Sequence, residues 1–274
     1  MLTKHHIAIF LVGLILSVVA WPAQAATVTN IVMVHGAFVD GSGWQSVYDL
    51  LVKGGYHVSI VQQPLTSLED DVRAATRILD QQSGACILVG HSYGGAVITE
   101  AGIHPKVAGL VYVAAHALDE GETEVANGRR FPNSAHPLVK TSDGFLFLNP
   151  TNFAEDFAAD LPRDQAEFMA HAQMLTAAKV FSTPITRPAW KEKPSWYLVP
   201  KADKMINPDL ERMYASRAHS HTIEVEGASH AVYISHPKEV ADLIEEASKN
   251  AEKRSMKEIP ISFRTTPVEN VKVF

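Results

Sequence analysis

A serine framed by glycines, Gly90-His91-Ser92-Tyr93-Gly94-Gly95, directly follows the apolar run Cys86-Ile87-Leu88-Val89. The pattern G-x-S-x-G after a buried strand predicts a sharp strand-to-helix turn that lifts the serine hydroxyl clear of the sheet. Gly90 and Gly94 are needed because side chains there would collide as strand and helix close on one another. A serine hydroxyl is a poor nucleophile at neutral pH and needs a base to take its proton. A histidine in that role, oriented by a carboxylate, would let Ser92 attack a carbonyl carbon and form an acyl intermediate.

The elements that must position these groups alternate along the chain. Apolar, β-branched runs at 28–34, 57–61, 85–89, 107–113, 195–199 and 222–225 read as buried parallel strands. Helical stretches at 44–53, 67–82, 93–104, 208–218 and 237–250 separate them. The alternation predicts an α/β fold, a doubly wound, mainly parallel sheet of about six strands. Residues 117–190 separate two strands by far more than one helix requires, which predicts a helical lid insertion. Phe153, Phe157 and Leu161 recur at i, i+4 and i+8, and Phe168, Met169, Ala172 and Leu175 form a second apolar face. A lid over a reactive serine also lines the cavity. Phe38, Phe145, Phe147, Phe168, Met174 and Trp190 are the candidate lining residues.

In an open parallel sheet, reactive residues gather at the carboxyl ends of strands. Ser92 follows one such strand. Asp203 lies just past another, and His230 just past the last, in Gly227-Ala228-Ser229-His230. The chain order Ser, Asp, His suits a catalytic triad on this kind of sheet. Among rivals, His219 and His221 precede the last strand, and His236 stands before a helix-opening proline. Asp209 follows Asn207-Pro208, where an acid compensates a helix dipole. Asp119, Glu120 and Glu122 follow an earlier strand and keep a variant acid position open. The oxyanion of a tetrahedral intermediate needs backbone donors. The N–H of Tyr93 and that of Ala37, in His35-Gly36-Ala37-Phe38, are the candidates. His35 reads as a strut for that loop.

The chain of 274 residues is 46% hydrophobic with a formal charge of -6, and it shows no basic cluster before its C-terminal tail. That excludes global disorder and argues against nucleic acid as a partner. Lys4, an apolar stretch at 7–20 and Ala23-Gln24-Ala25 form the pattern of a cleaved secretory signal over 1–25. The remaining domain reads as 26–250, with a loosely docked tail at 251–274 and no stable membrane span. The implied destination is the bacterial periplasm or exterior. Cys86, the one cysteine, sits in the strand before the elbow and reads as a core residue. No metal-ligand pair or phosphate-binding loop appears, so neither cofactor nor metal is expected.

Taken together, Val34-His35-Gly36-Ala37-Phe38, Gly90 to Gly95, Asp203 and Gly227 to His230 resemble the α/β-hydrolase superfamily over about 28–250. Gly36-Ala37-Phe38-Val39-Asp40-Gly41-Ser42-Gly43-Trp44 is similar to a branch with plant methylesterases, hydroxynitrile lyases and bacterial carboxylesterases, including pyrethroid-hydrolysing ones. The resemblance implies hydrolysis of esters of hydrophobic or aromatic acids, with water, no cofactor and a pocket under the lid. The lyases place a threonine after the first-strand histidine and a lysine after the catalytic one. Gly36 and Ala231 stand there in this chain, which points away from cyanohydrin cleavage. Cofactor-free perhydrolase, haloperoxidase or lyase chemistry on the same site, and a non-catalytic ligand-binding protein, are the alternative readings.

Overall fold

The computed structural model describes residues 27–257, with side chains to 251. From the N-terminal side, β1 (Asn30–Val34), α1 (Gln45–Lys53), β2 (His57–Val61), α2 (Leu68–Asp80), β3 (Cys86–Ser92), α3 (Gly94–Ala101) and β4 (Val107–Ala115) alternate. The insertion follows: α4 (Glu124–Arg130), β5 (Val139–Lys140), β6 (Phe145–Phe147), α5 (Pro150–Phe157), α6 (Arg163–His171) and β7 (Thr176–Ala177). The alternation then resumes with β8 (Ser195–Pro200), α7 (Pro208–Arg217), β9 (His221–Val225), α8 (Val232–Ser235) and α9 (Pro237–Lys257).

Six strands pair in parallel in the order β2-β1-β3-β4-β8-β9. The four inner strands are buried almost throughout, whereas the edge strands β2 and β9 are partly open. Burial on both faces is why the inner strands read as continuous apolar runs. Alternate residues feed two cores. Val32, Val34 and Leu88 pack with α2, α3 and α7. Ile31, Met33, Ile87 and Val89 pack with α1, α8 and α9. Local signals set the helix starts. Ser67 accepts from the Asp70 N–H at 3.1 Å to open α2, and Asn207 with Pro208 opens α7.

The insertion is not wholly helical. β5, β6 and β7 form a three-stranded antiparallel sheet within it. Strands of two or three residues are too short to leave a periodic trace in sequence. The first expected apolar face is real: Phe153 and Phe157 of α5 are fully buried, with rings stacked at 5.0 Å. The second is corrected. Helix α6 buries Ala166 and Ala170 and leaves Phe168 72% exposed. Helix α9 runs on to Lys257, and Ala251 is fully buried, so the segment 251–274 begins inside this helix. The expected signal at 1–25 and the rest of that tail lie outside the described residues. No described helix is long and apolar enough to cross a membrane.

Candidate active site

The elbow sits at the carboxyl end of β3, in the middle of the sheet. Ser92 has φ +54°, a left-handed conformation that costs a non-glycine residue about 1–3 kcal/mol. Tight packing imposes it. A Cβ on Gly90 would stand 2.6 Å from the Gly94 carbonyl oxygen, and one on Gly94 would stand 2.6 Å from that of His35. Tyr93 anchors the turn from beneath: its hydroxyl donates to Asp71 Oδ2 at 2.7 Å, while Asp71 Oδ1 accepts from the Leu65 N–H at 2.8 Å. Burial pushes the Asp71 carboxyl up to about 6.

Two further strand ends supply the partners. Asp203 follows β8, and its Oδ1 accepts from the N–H groups of Met205 at 2.7 Å and Ile206 at 2.9 Å. Its Oδ2 lies 2.6 Å from His230 Nδ1. His230 follows β9, and its Nε2 lies 2.9 Å from Ser92 Oγ. All three residues are buried, with Ser92 the most open at 9%. The loop carrying His230 is held from two sides. The His91 Nε2–H donates to the His230 carbonyl at 3.0 Å, and the two rings lie 4.7 Å apart. Burial and the neighbouring His230 hold the His91 ring well below the usual histidine range, so it stays neutral. From the insertion, Asp160 accepts from the Ser229 N–H at 3.1 Å and from the Ser229 hydroxyl, and the Phe157 ring meets His230 edge-on at 4.8 Å.

The loop after β1 closes over Ser92. A Cβ on Gly36 would fall 2.8 Å from Ser92 Cβ and 2.9 Å from His91 Nδ1, so only glycine fits there. His35 Nδ1–H donates to the Gly36 carbonyl at 2.9 Å, Nε2 accepts from the Gln63 N–H at 3.3 Å, and Gln63 Nε2 donates back to the His35 carbonyl at 2.8 Å. These are the bonds of a strut. The Phe38 N–H is committed to Thr176 Oγ1 at 3.2 Å. Ala37 lines the same cavity as Ser92.

The rivals are engaged elsewhere. Glu122 pairs with Arg217 at 2.7 Å, Asp119 with Lys191 at 2.5 Å and Asp209 with Arg212 at 2.7 Å. Glu120 bridges to Ile185 through the backbone. His221 opens β9 at the far end from His230, His219 precedes it, and His236 Nδ1 meets Ser235 Oγ at 2.9 Å. Cys86 is buried, and burial pushes its thiol up to about 12.

Beside Ser92 and His230 lies a cavity of about 190 Å³ whose walls include Phe38, Phe131, Leu138, Phe181, Met205 and Leu210. Of the six expected lining residues, only Phe38 is there. Phe145 and Phe147 are taken up by the small antiparallel sheet, and Met174 donates its N–H to the Phe38 carbonyl at 3.2 Å. Phe168 lines a separate surface groove with Met169. Trp190 donates Nε1–H to the Leu118 carbonyl at 2.8 Å, with the Arg217 guanidinium 5.3 Å from its ring. The cavity residues that sequence reasoning missed include Phe181, His116 and Glu124. His116 follows β4 directly, so the strand-end rule that found Ser92 would also have found it.

A buried serine, imidazole and carboxylate in one hydrogen-bonded line, next to an apolar cavity, can perform acyl transfer. The sequence profile of the alpha/beta hydrolase family matches residues 31–243. The chain is 30% identical over 248 residues to a pyrethroid hydrolase of Sphingobium wenxiniae, covering 80% of this chain and 87% of that one. The crystal structure of a pyrethroid hydrolase from Sphingobium faniae superposes with a TM-score of 0.68 at 26% identity, covering 83% of this chain and all of that one. A methylesterase from Arabidopsis shares the fold, with a TM-score of 0.66 at 19% identity over 80% of this chain and 98% of that one. This chain belongs to the alpha/beta hydrolase family, as an esterase-type hydrolase.

Proposed function

We propose that the protein is a serine carboxylesterase acting on small to medium hydrophobic or aromatic esters, exported to the periplasm or the exterior by its N-terminal signal. Ser92 Oγ attacks the ester carbonyl while His230 Nε2 takes its proton. Asp203 holds the Nδ1–H and stabilises the imidazolium. The tetrahedral oxyanion is met by the backbone N–H groups of Tyr93 and Ala37. Collapse expels the alcohol, which takes the proton back from His230, and leaves Ser92 acylated. Water, deprotonated by His230, then releases the acid and restores Ser92.

The observation that carries this reading is the unbroken line from Ser92 Oγ through His230 to Asp203, at 2.9 and 2.6 Å, opening on an apolar cavity. Relatives named as pyrethroid hydrolases support the hydrolytic reading, and the apolar lining suits a hydrophobic ester. A series of p-nitrophenyl esters graded in acyl length tests it. Wild-type protein turns over the shorter members, and Ser92→Ala loses at least a thousandfold while keeping its thermal melt. Turnover that survives Ser92→Ala would refute the assignment.

A further inference from the structure

The insertion reaches the backbone beside Ser92 through β7. Thr176 is fully buried, and its Oγ1 accepts from the Phe38 N–H at 3.2 Å. Two residues earlier, the Met174 N–H donates to the Phe38 carbonyl at 3.2 Å. Both polar groups of the Phe38 backbone are therefore paired to the insertion. Phe38 has φ +68°, a left-handed conformation that an aromatic residue keeps only where its surroundings impose it. The contacts from Thr176 and Met174 are such an imposition.

The consequence falls on Ala37. The peptide unit that carries the Ala37 N–H is held at its other end, where the Gly36 carbonyl accepts from His35 Nδ1–H at 2.9 Å. The following peptide unit is held by Thr176 through the Phe38 N–H. Ala37 is thus fixed from the body of the fold by His35 and from the insertion by Thr176. An N–H engaged by Thr176 is not free for an oxyanion, so this hydroxyl also decides which N–H of the loop can serve one. The same strand braces the other side of the elbow. The Ala177 N–H donates to the Leu65 carbonyl at 2.9 Å, and the Leu65 N–H donates to Asp71 Oδ1 at 2.8 Å. Asp71 Oδ2 in turn accepts from the Tyr93 hydroxyl at 2.7 Å. Leu65 is also left-handed, with φ +57°.

We propose that Thr176 is a positioning residue of the oxyanion hole: its buried hydroxyl, delivered by the insertion, holds Phe38 so that the Ala37 N–H faces the oxyanion formed at Ser92. This deepens the esterase reading and rests on it for the oxyanion. A donor stabilises developing charge only if it is held in place before the charge appears. A loosened donor weakens transition-state binding and leaves substrate binding alone, so the loss falls on kcat and not on KM.

Two pairs of proteins isolate the hydroxyl: wild type against Thr176→Val, and Thr176→Ser against Thr176→Ala. The second pair, with smaller side chains, serves where Thr176→Val fails to fold, and a thermal melt checks each protein. The assays are kcat and KM on p-nitrophenyl butyrate and the calorimetric Kd of 1,1,1-trifluorohexan-2-one. With this ketone, Ser92 Oγ bonds to the carbonyl carbon, the serine proton passes to His230 Nε2, and the carbonyl oxygen becomes the oxyanion. Removing the hydroxyl lowers kcat about 10–100-fold, weakens the ketone by a similar factor and leaves KM within about threefold. Thr176→Ser stays within about threefold of wild-type kcat. A folded Thr176→Val or Thr176→Ala protein that matches its hydroxyl partner in kcat and ketone Kd overturns the proposal. A loss that falls on KM instead, the mark of a loosened lid, also overturns it. Wild-type behaviour keeps the two readings apart. Ester turnover that is indifferent to the hydroxyl sinks the positioning role and leaves the esterase standing. Ketone binding that depends on the hydroxyl, in a wild type that turns over no ester, sinks the esterase and leaves the positioning role standing. Wild type that neither hydrolyses the ester nor binds the ketone overturns both.

Discussion

Replacing Asp203 by asparagine is the most informative single perturbation, because the structure dictates how the new amide must sit. Asp203 Oδ1 accepts from two backbone N–H groups, Met205 at 2.7 Å and Ile206 at 2.9 Å. An amide nitrogen cannot occupy that position without facing two donors. The asparagine carbonyl therefore takes it, and the NH₂ group is turned to His230 Nδ1, 2.6 Å away in the native pair. Nδ1 must then accept, so the imidazole carries its proton on Nε2, aimed at Ser92 Oγ. In that tautomer, His230 cannot remove the serine proton. Loss of the tautomer together with the imidazolium's counter-charge is worth about 10⁴ in kcat, or about 5.5 kcal/mol of barrier. The assay is kcat and KM on p-nitrophenyl butyrate, with circular dichroism and a thermal melt confirming the fold. A kcat that falls by about 10⁴ with KM little changed is the expected result. A folded Asp203→Asn protein within tenfold of wild type would rule out Asp203 as the group that sets the His230 tautomer.

Other consequences follow from the same geometry. Gly36→Ala must push the loop after β1 away from Ser92 and His91, because its Cβ would meet them at 2.8 and 2.9 Å. A displacement of that order costs about a hundredfold in kcat/KM, measured on the same ester. Phe157→Ala removes a fully buried ring that stacks on Phe153 and meets His230. Urea unfolding should report a loss of about 3–5 kcal/mol. Glu124 bears on stability through pH. Its folded carboxyl is raised to about 8 from an ordinary 4.5, so the unfolded chain ionises first and wild-type stability is lost as pH rises between those values. His116, 3.4 Å away and lowered to about 3, stays neutral across that window. Glu124→Gln should therefore melt increasingly above wild type from pH 5 to pH 8. A gap in melting temperature that stays constant with pH would contradict this.

The sheet and the serine-histidine-aspartate line were legible because each leaves a local mark. Inner parallel strands must be apolar on both faces, and the elbow admits only glycine at Gly90 and Gly94. Asp203 and His230 stand within a few residues of strand ends, where topology alone directs them to Ser92. The insertion was less legible because its apolar residues have several places to go. Phe168 carries the helical spacing of a packed face, yet α6 approaches the body through Ala166 and Ala170 and turns the phenylalanine outward. Phe181 belongs to a 3-10 turn with no amphipathic period, and only tertiary contact puts it on the cavity wall. Glu124 looks in sequence like an ordinary first-turn acid. Its burial beside His116 depends on where α4 meets β4, and no spacing in the chain encodes that.

In the proposed mechanism everything depends on Ser92 being an activated nucleophile. A fluorophosphonate probe reacts with such a serine without any guess about substrate, and mass spectrometry locates the adduct. The expected result is one phosphonyl group per chain, on the peptide carrying Ser92, and none on Ser92→Ala protein. Folded wild-type protein that takes no label, or takes it on another residue, would contradict it.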